Sequence, residues 1–150
     1  MNKILTTSLL MLMVTFSGFA TTRGVVTLGD SKVIKQTENL NKTAIIKIVE
    51  DDRVFEDKPK TPNIPSLKGG LAAATEDDKA KAIARKRNGY GKALGDIMLR
   101  EGTVASTVQN RVESALNQSG YRVLTASEQN NQKADLIVSV NITKFWSWVE

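Results

Sequence analysis

Between Ala134 and Trp148 the chain reads "ADLIVSVNITKFWSW". Leu136, Val138, Val140 and Ile142 fall at every second position, separated by Ile137, Ser139, Asn141 and Thr143. Successive strand side chains point to opposite faces, so this spacing fits a strand with one buried face and one mostly wet face. Such a strand needs an apolar layer against it. The segment "GTVASTVQNRVESALNQSG" supplies one. Val104, Val108, Val112 and Leu116 recur every four residues, with Ala105 and Ala115 beside them, which is the stripe of an amphipathic helix. Thr103 caps that helix and Gly120 closes it. A helix laid across the Leu136–Ile142 face already restricts the chain to a layered α+β or α/β architecture.

The remaining elements follow from local chemistry. "KTAIIKIV", Lys42 to Val49, is rich in β-branched residues and reads as a strand. "GDIML" supplies a short strand over Asp96–Leu99, and "YRVLT" another over Tyr121–Thr125. The strands around Val123 and Val138 are expected to pair antiparallel through the polar loop "ASEQNNQK", with the Ile46 strand in the same sheet. "TEDDKAKAIARKR" reads as a helix: Thr75 caps it, Glu76 to Asp78 occupy the first turn, and Arg85 to Arg87 sit where a helix dipole favours cations. "NGYG" then ends it. The expected fold is a mixed β-sheet with helices mainly on one face, preceded by a flexible lead-in over residues 21–42. "GVVTL" in that lead-in suits an edge strand at Val25–Leu28. Residues 43–150 form one domain, interrupted at 51–74 by a loop that holds Pro59, Pro62 and Pro65 and ends in Gly69-Gly70.

The N-terminus carries an address. Lys3 is followed by the apolar run Ile4–Phe16 and the small residues Gly18 and Ala20. That order is a secretory signal peptide over residues 1–20, cleaved after Ala20. The run is shorter than the roughly 20 residues a membrane helix needs, so no transmembrane segment is expected in the mature chain. The chain has no cysteine and no histidine. Those absences exclude a lipid anchor on a leader cysteine, disulfides, a Ser-His-Asp triad, a cysteine nucleophile and an ordinary zinc site. No cofactor or metal site is expected. A net charge of +5 over the full sequence is a mild basic excess that favours anionic surfaces, and export argues against nucleic acid as a partner.

The segment "ARKRNGYGKALGDIML" concentrates cations and glycines. As a phosphate loop it fails: Ala93 stands where a Walker loop has its hydroxyl, and Lys86 where it has its first glycine. Arg85, Lys86, Arg87, Tyr90, Gly91 and Lys92 have two readings, a solvated helix end or an anion patch for phosphate, an acidic glycan or a lipid headgroup. The acidic clusters Glu50–Asp52, Glu56-Asp57 and Glu76–Asp78 read as solvated surface, with a carboxylate hydrolase built on Asp51 and Asp52 as a minor alternative. In "KFWSWVE", Trp146 and Trp148 share one face of a strand with nothing after it to pair with. That strand is either an adhesive edge, open to self-association, or an edge whose cover is missing.

The series "IVEDDRVFEDKP", "ARKRNGYGKALGDIML", "VESALNQSGYRVL" and "ADLIVSVNITKFWSW" resembles envelope proteins of Gram-negative bacteria related to the YajG-type lipoproteins, some of which are labelled flagellar biosynthesis proteins. The resemblance spans Ala44 to about Trp148. It implies a periplasmic α/β domain without catalytic residues. It also implies a chain that continues past the aromatic strand, so this one reads as a truncated copy. The expected function is a non-catalytic periplasmic accessory protein that binds another envelope component; a binder of a small anionic ligand or glycan is the alternative.

Overall fold

The computed structural model describes residues 23–29, 38–129 and 133–149. The leader expected over residues 1–20 lies outside them. Strands β1 (Gly24–Val26) and β2 (Lys42–Asp51) come first. Helix α1 (Glu76–Lys81) leads directly into β3 (Ala82–Arg87) and β4 (Ala93–Leu99). Helix α2 (Val104–Gln118), β5 (Tyr121–Val123), the short helix α3 (Ala126–Gln129), β6 (Leu136–Ile142) and β7 (Ser147–Val149) complete the order. The α+β class expected from the patterning is the one observed.

The strands form two sheets, not one. The first has the order β1-β4-β3-β7 and the second β5-β2-β6. In the second sheet both β5 and β6 run parallel to β2, so β5 and β6 flank it and do not pair with each other as expected. The chain between them, residues 124–135, is long enough for the crossover that parallel neighbours require, about a dozen residues. The alternation in β6 is observed as read. Leu136, Val138 and Val140 are half-buried, Ile142 is buried, and the residues between them are exposed.

Helix α2 also forms as patterned, but it packs chiefly on β2 and β5, with the N-terminal part of its stripe, Val104 and Val108, reaching Val140 and Ile142 of β6. The Thr103 hydroxyl accepts the Ser106 N–H (3.1 Å) and the Ser106 hydroxyl accepts the Thr103 N–H (2.8 Å), a reciprocal cap. Val104 at its start is fully buried, worth about 2 kcal/mol of apolar burial. It packs with Ile83, Ala84, Leu99 and Ile142 in a core that draws on strands of both sheets. Gly120 follows the helix at φ +88°, and its carbonyl accepts the Leu40 N–H.

The basic segment is not a helix end. Helix α1 stops at Lys81, and the next residues pair antiparallel with β4, Arg85 opposite Asp96. Two features mark the stop. Ala82, Ile83 and Ala84 are buried as the first residues of β3, and the carbonyl of Lys79 in the last turn of α1 accepts from the buried Arg53 guanidinium (2.8 Å). "NGYGK" is therefore the loop of a β3–β4 hairpin, closed by Asn88 N–H to the Lys92 carbonyl (3.0 Å).

The terminal aromatic strand is paired. β7 lies parallel to β3, with Trp148 in register with Arg85, which corrects the reading of an unpaired last strand. The two tryptophans do not form one adhesive face either. Trp146 precedes β7, stacks edge-on against Phe55 at 5.9 Å, and donates its indole N–H to the Pro62 carbonyl (3.2 Å). Trp148 is 45% exposed on the strand edge. The edge strand near the N-terminus exists but sits at Gly24–Val26, parallel to β4.

The proline-containing loop is a packed cover. Leu67, with Phe55, Ala74 and Trp146 around it, closes a second small core against Ala82 and Met98 on the outer face of the first sheet. Two charged anchors hold the loop there. Arg53 has no exposed side-chain surface and spends all five guanidinium N–H groups: Nε and Nη2 on the two oxygens of Asp51 (2.7 Å each), Nη1 on the carbonyls of Ala82 and Phe145, and Nη2 also on Lys79. Asp96 is fully buried and accepts the Lys68 N–H on both oxygens (3.0 and 3.1 Å). The acidic clusters are thus partly structural, with Asp51 committed to Arg53.

Candidate functional site

Where the loop meets the hairpin, it leaves a cleft of about 600 Å³. Its charged end is made by Arg85 and Arg87, which lie two residues apart on one face of β3; its floor is the Gly69-Gly70 turn; Lys58 stands at the rim. The floor needs glycine. Gly70 has φ +82°, and a Cβ there would lie 3.0 Å from an Asp57 oxygen that already accepts the Leu71 N–H (2.7 Å). Lys58 has φ +50°, and only Asn41 shares a positive φ among the described non-glycine residues. Non-glycine residues rarely adopt this conformation, and where they do a functional constraint is a common cause.

The two arginines are half-used. Arg85 donates from Nη1 to the Ser66 hydroxyl (2.9 Å), and Arg87 from Nη1 to the Gly91 carbonyl of its own hairpin loop (2.8 Å). The Nε of each is buried without a hydrogen-bond partner; among the described residues they are the two such side-chain atoms. Arg85 Nε lies 3.7 Å from Asp96, an ion pair too long for a hydrogen bond, and Asp96 is shared with Arg23 at 3.8 Å. Burial holds the Arg85 guanidinium below its ordinary pKa; Asp96 opposes that shift and the charge of Arg87 adds to it. Two like charges therefore face one cleft, with the buried Asp96 carboxylate behind them and the exposed Asp57 carboxylate on the cleft lining itself.

Arg53 shows what such a side chain does when satisfied. Its Nε–Nη2 edge holds the Asp51 carboxylate in a two-pronged contact. Arg85 and Arg87 keep that same edge without a hydrogen bond. The Nε atoms are enclosed by protein, but the Nη2 group of each arginine also makes no hydrogen bond, and it is this group that an oxyanion in the cleft would give an acceptor.

The other candidate residues disperse. The Lys86 side chain crosses to the opposite face, where its Cε and Nζ lie against Gly24. Tyr90 is 97% exposed at the hairpin tip. Gly91 takes φ +75° to close the loop, and Lys92 is exposed, its N–H on the Asn88 side chain (2.9 Å). Trp146 belongs to the small core and Trp148 to the β7 edge. The sequence singled out Arg85 and Arg87 but not Lys58, Ser66 or the Gly69-Gly70 floor, which come from the loop across the cleft. The adjacent Gly69-Gly70 pair was the signal available for that floor.

A second cleft, about 500 Å³, runs between β1 and α2, where Arg111 donates to the Gly29 carbonyl. No described helix is long and apolar enough to cross a membrane. Comparison of the chain with family models, with curated proteins and with solved structures gives no match.

Proposed function

We propose that the chain is a non-catalytic binding protein, exported to the periplasm, that holds an anionic group of another envelope component between the β3–β4 hairpin and the proline-containing loop. The observation that carries the reading is the pair Arg85 and Arg87, which line one cleft and each spend a single Nη1 hydrogen bond within the protein. Guanidinium groups suit planar and tetrahedral oxyanions because their donors form a rigid fork. The leader-like Met1–Ala20 supports export. The lack of histidine and cysteine supports binding over catalysis. Asp51, the candidate for a carboxylate hydrolase, is tied to Arg53, which favours the binding reading further.

The test is thermal unfolding at matched ionic strength in chloride, phosphate, sulfate and citrate. The polyvalent oxyanions are expected to raise the midpoint of the parent protein by a few degrees more than that of Arg87→Gln, which keeps only the general stabilisation such salts give any fold. Equal responses in the two proteins would overturn the reading. Export is checked by N-terminal sequencing of the periplasmic fraction, where a chain starting at Thr21 is expected.

A further inference from the structure

Resting on that anion-binding reading, we infer that the cleft takes a phosphate monoester with a compact apolar substituent. Three observations carry this. First, the cleft is amphipathic. Arg85 and Arg87 form one end, while Pro59, Leu67, Leu71 and Ala93 supply apolar wall. Second, about 600 Å³ falls in the range of small-molecule sites, so a lone oxyanion would fill only the guanidinium end and leave the apolar wall wet. Third, the cations are doubled. One guanidinium edge saturates one carboxylate, as Arg53 does for Asp51. Two guanidinium groups on alternate residues of one strand face, about 7 Å apart along the backbone, ask for a group with more than two oxygens. A phosphate monoester offers three terminal oxygens and up to two charges, and its ester oxygen carries the substituent towards Leu71 and Pro59.

Lys58 extends the same logic. Its backbone sits in the left-handed region at the cleft rim, next to Asp57, whose carboxylate anchors the Leu71 N–H of the floor. Lys58 adds a third cation to the residues lining the cleft. No bond is made or broken in the site; the ester is held and released.

The probes are phenyl phosphate, inorganic phosphate and benzoate, titrated calorimetrically into purified protein. Phenyl phosphate is expected to bind at least tenfold more tightly than either of the others. Arg87→Gln should weaken it at least tenfold, while leaving the urea midpoint within the range of the parent. Leu71→Ser should remove the advantage of phenyl phosphate over inorganic phosphate without abolishing phosphate binding. Equal affinities for phenyl phosphate and inorganic phosphate would overturn the ester inference and leave the anion site standing. Benzoate binding as tightly as phenyl phosphate would overturn the choice of phosphate. No binding of any of the three would overturn the underlying reading as well. Sedimentation with vesicles of phosphatidylcholine, with and without phosphatidic acid, separates the sources. Phosphatidic-acid-dependent binding competed by phenyl phosphate identifies a lipid headgroup, and soluble binding without vesicle binding identifies a free ester.

Discussion

Replacing Arg53 with methionine removes one side chain and unpicks four parts of the fold. The guanidinium joins the end of β2 through Asp51, the last turn of α1 through the Lys79 carbonyl, β3 through the Ala82 carbonyl, and the β6–β7 connection through the Phe145 carbonyl. Methionine fills much of the same volume, so the cavity term is small and the loss is electrostatic. Removing one partner of a buried ion pair costs about 3–5 kcal/mol, because the other charge is left uncompensated. The Asp51 side chain is 18% exposed and regains some water, which lowers that figure. The carbonyls of Lys79, Ala82 and Phe145 raise it again, at about 1–3 kcal/mol for each that water cannot reach. The expected cost is about 4 kcal/mol, a large share of the roughly 5–15 kcal/mol that holds a domain folded. Urea unfolding at neutral pH measures it as the midpoint shift multiplied by the slope. The double variant Asp51→Asn/Arg53→Met should recover about 1–2 kcal/mol, because it discharges the stranded carboxylate. A loss below about 1 kcal/mol for Arg53→Met, or no recovery in the double variant, would refute the clamp.

Three further outcomes follow from other contacts. Gly120→Ala should cost about 2 kcal/mol in the same assay, since φ is +88° and the added Cβ would meet the Glu38 carbonyl oxygen. Asp96→Ala should cost about 3 kcal/mol and speed tryptic cutting at Lys60 and Lys68, because the buried carboxylate pins the loop through the Lys68 N–H and compensates Arg85 and Arg23. The Glu128 carboxyl should titrate at about 2 by NMR, held down first by the Thr125 N–H, then by the Thr125 hydroxyl and Arg122. Its folded value lies below its ordinary 4.5, so its stabilisation is complete above that pH and fades as pH falls through about 2; Thr125→Ala should move the titration upward.

Much of the fold was legible where one period ran uninterrupted. Helix α2 announced itself through Thr103, the four-residue repeat and Gly120, and β6 through its alternation. The basic segment misled because Ala, Lys and Arg are strong helix formers and Thr75–Asp78 is a true helix start. The helix ends at Lys81 for a tertiary reason: Arg53, distant in sequence, takes the Lys79 carbonyl, and β4 offers the next residues a ladder. "NG" followed by a second apolar run was a hairpin signal, outweighed by the dipole argument. Reading β3 as helix also hid the partner of β7, which left Trp148 with no strand beside it. The parallel pairing of β5 and β6 with β2 was invisible because it depends on crossovers, not on local pattern. The site was half-legible for the same reason. Arg85 and Arg87 lie in a basic run, but the opposite wall comes from a loop whose prolines mark it only as irregular and whose Leu67 and Phe55 in fact pack.

The account centres on the idle donor edges of Arg85 and Arg87. They are read most directly by the arginine Nε–H resonances of ¹⁵N-labelled protein during titration with phenyl phosphate. The signals of Arg85 and Arg87, already enclosed by protein, should shift as the neighbouring Nη2 groups take up the phosphate, while that of Arg53, already bound to Asp51, stays in place. Arg85 and Arg87 signals that do not move, or that move no further than Arg53, would contradict it.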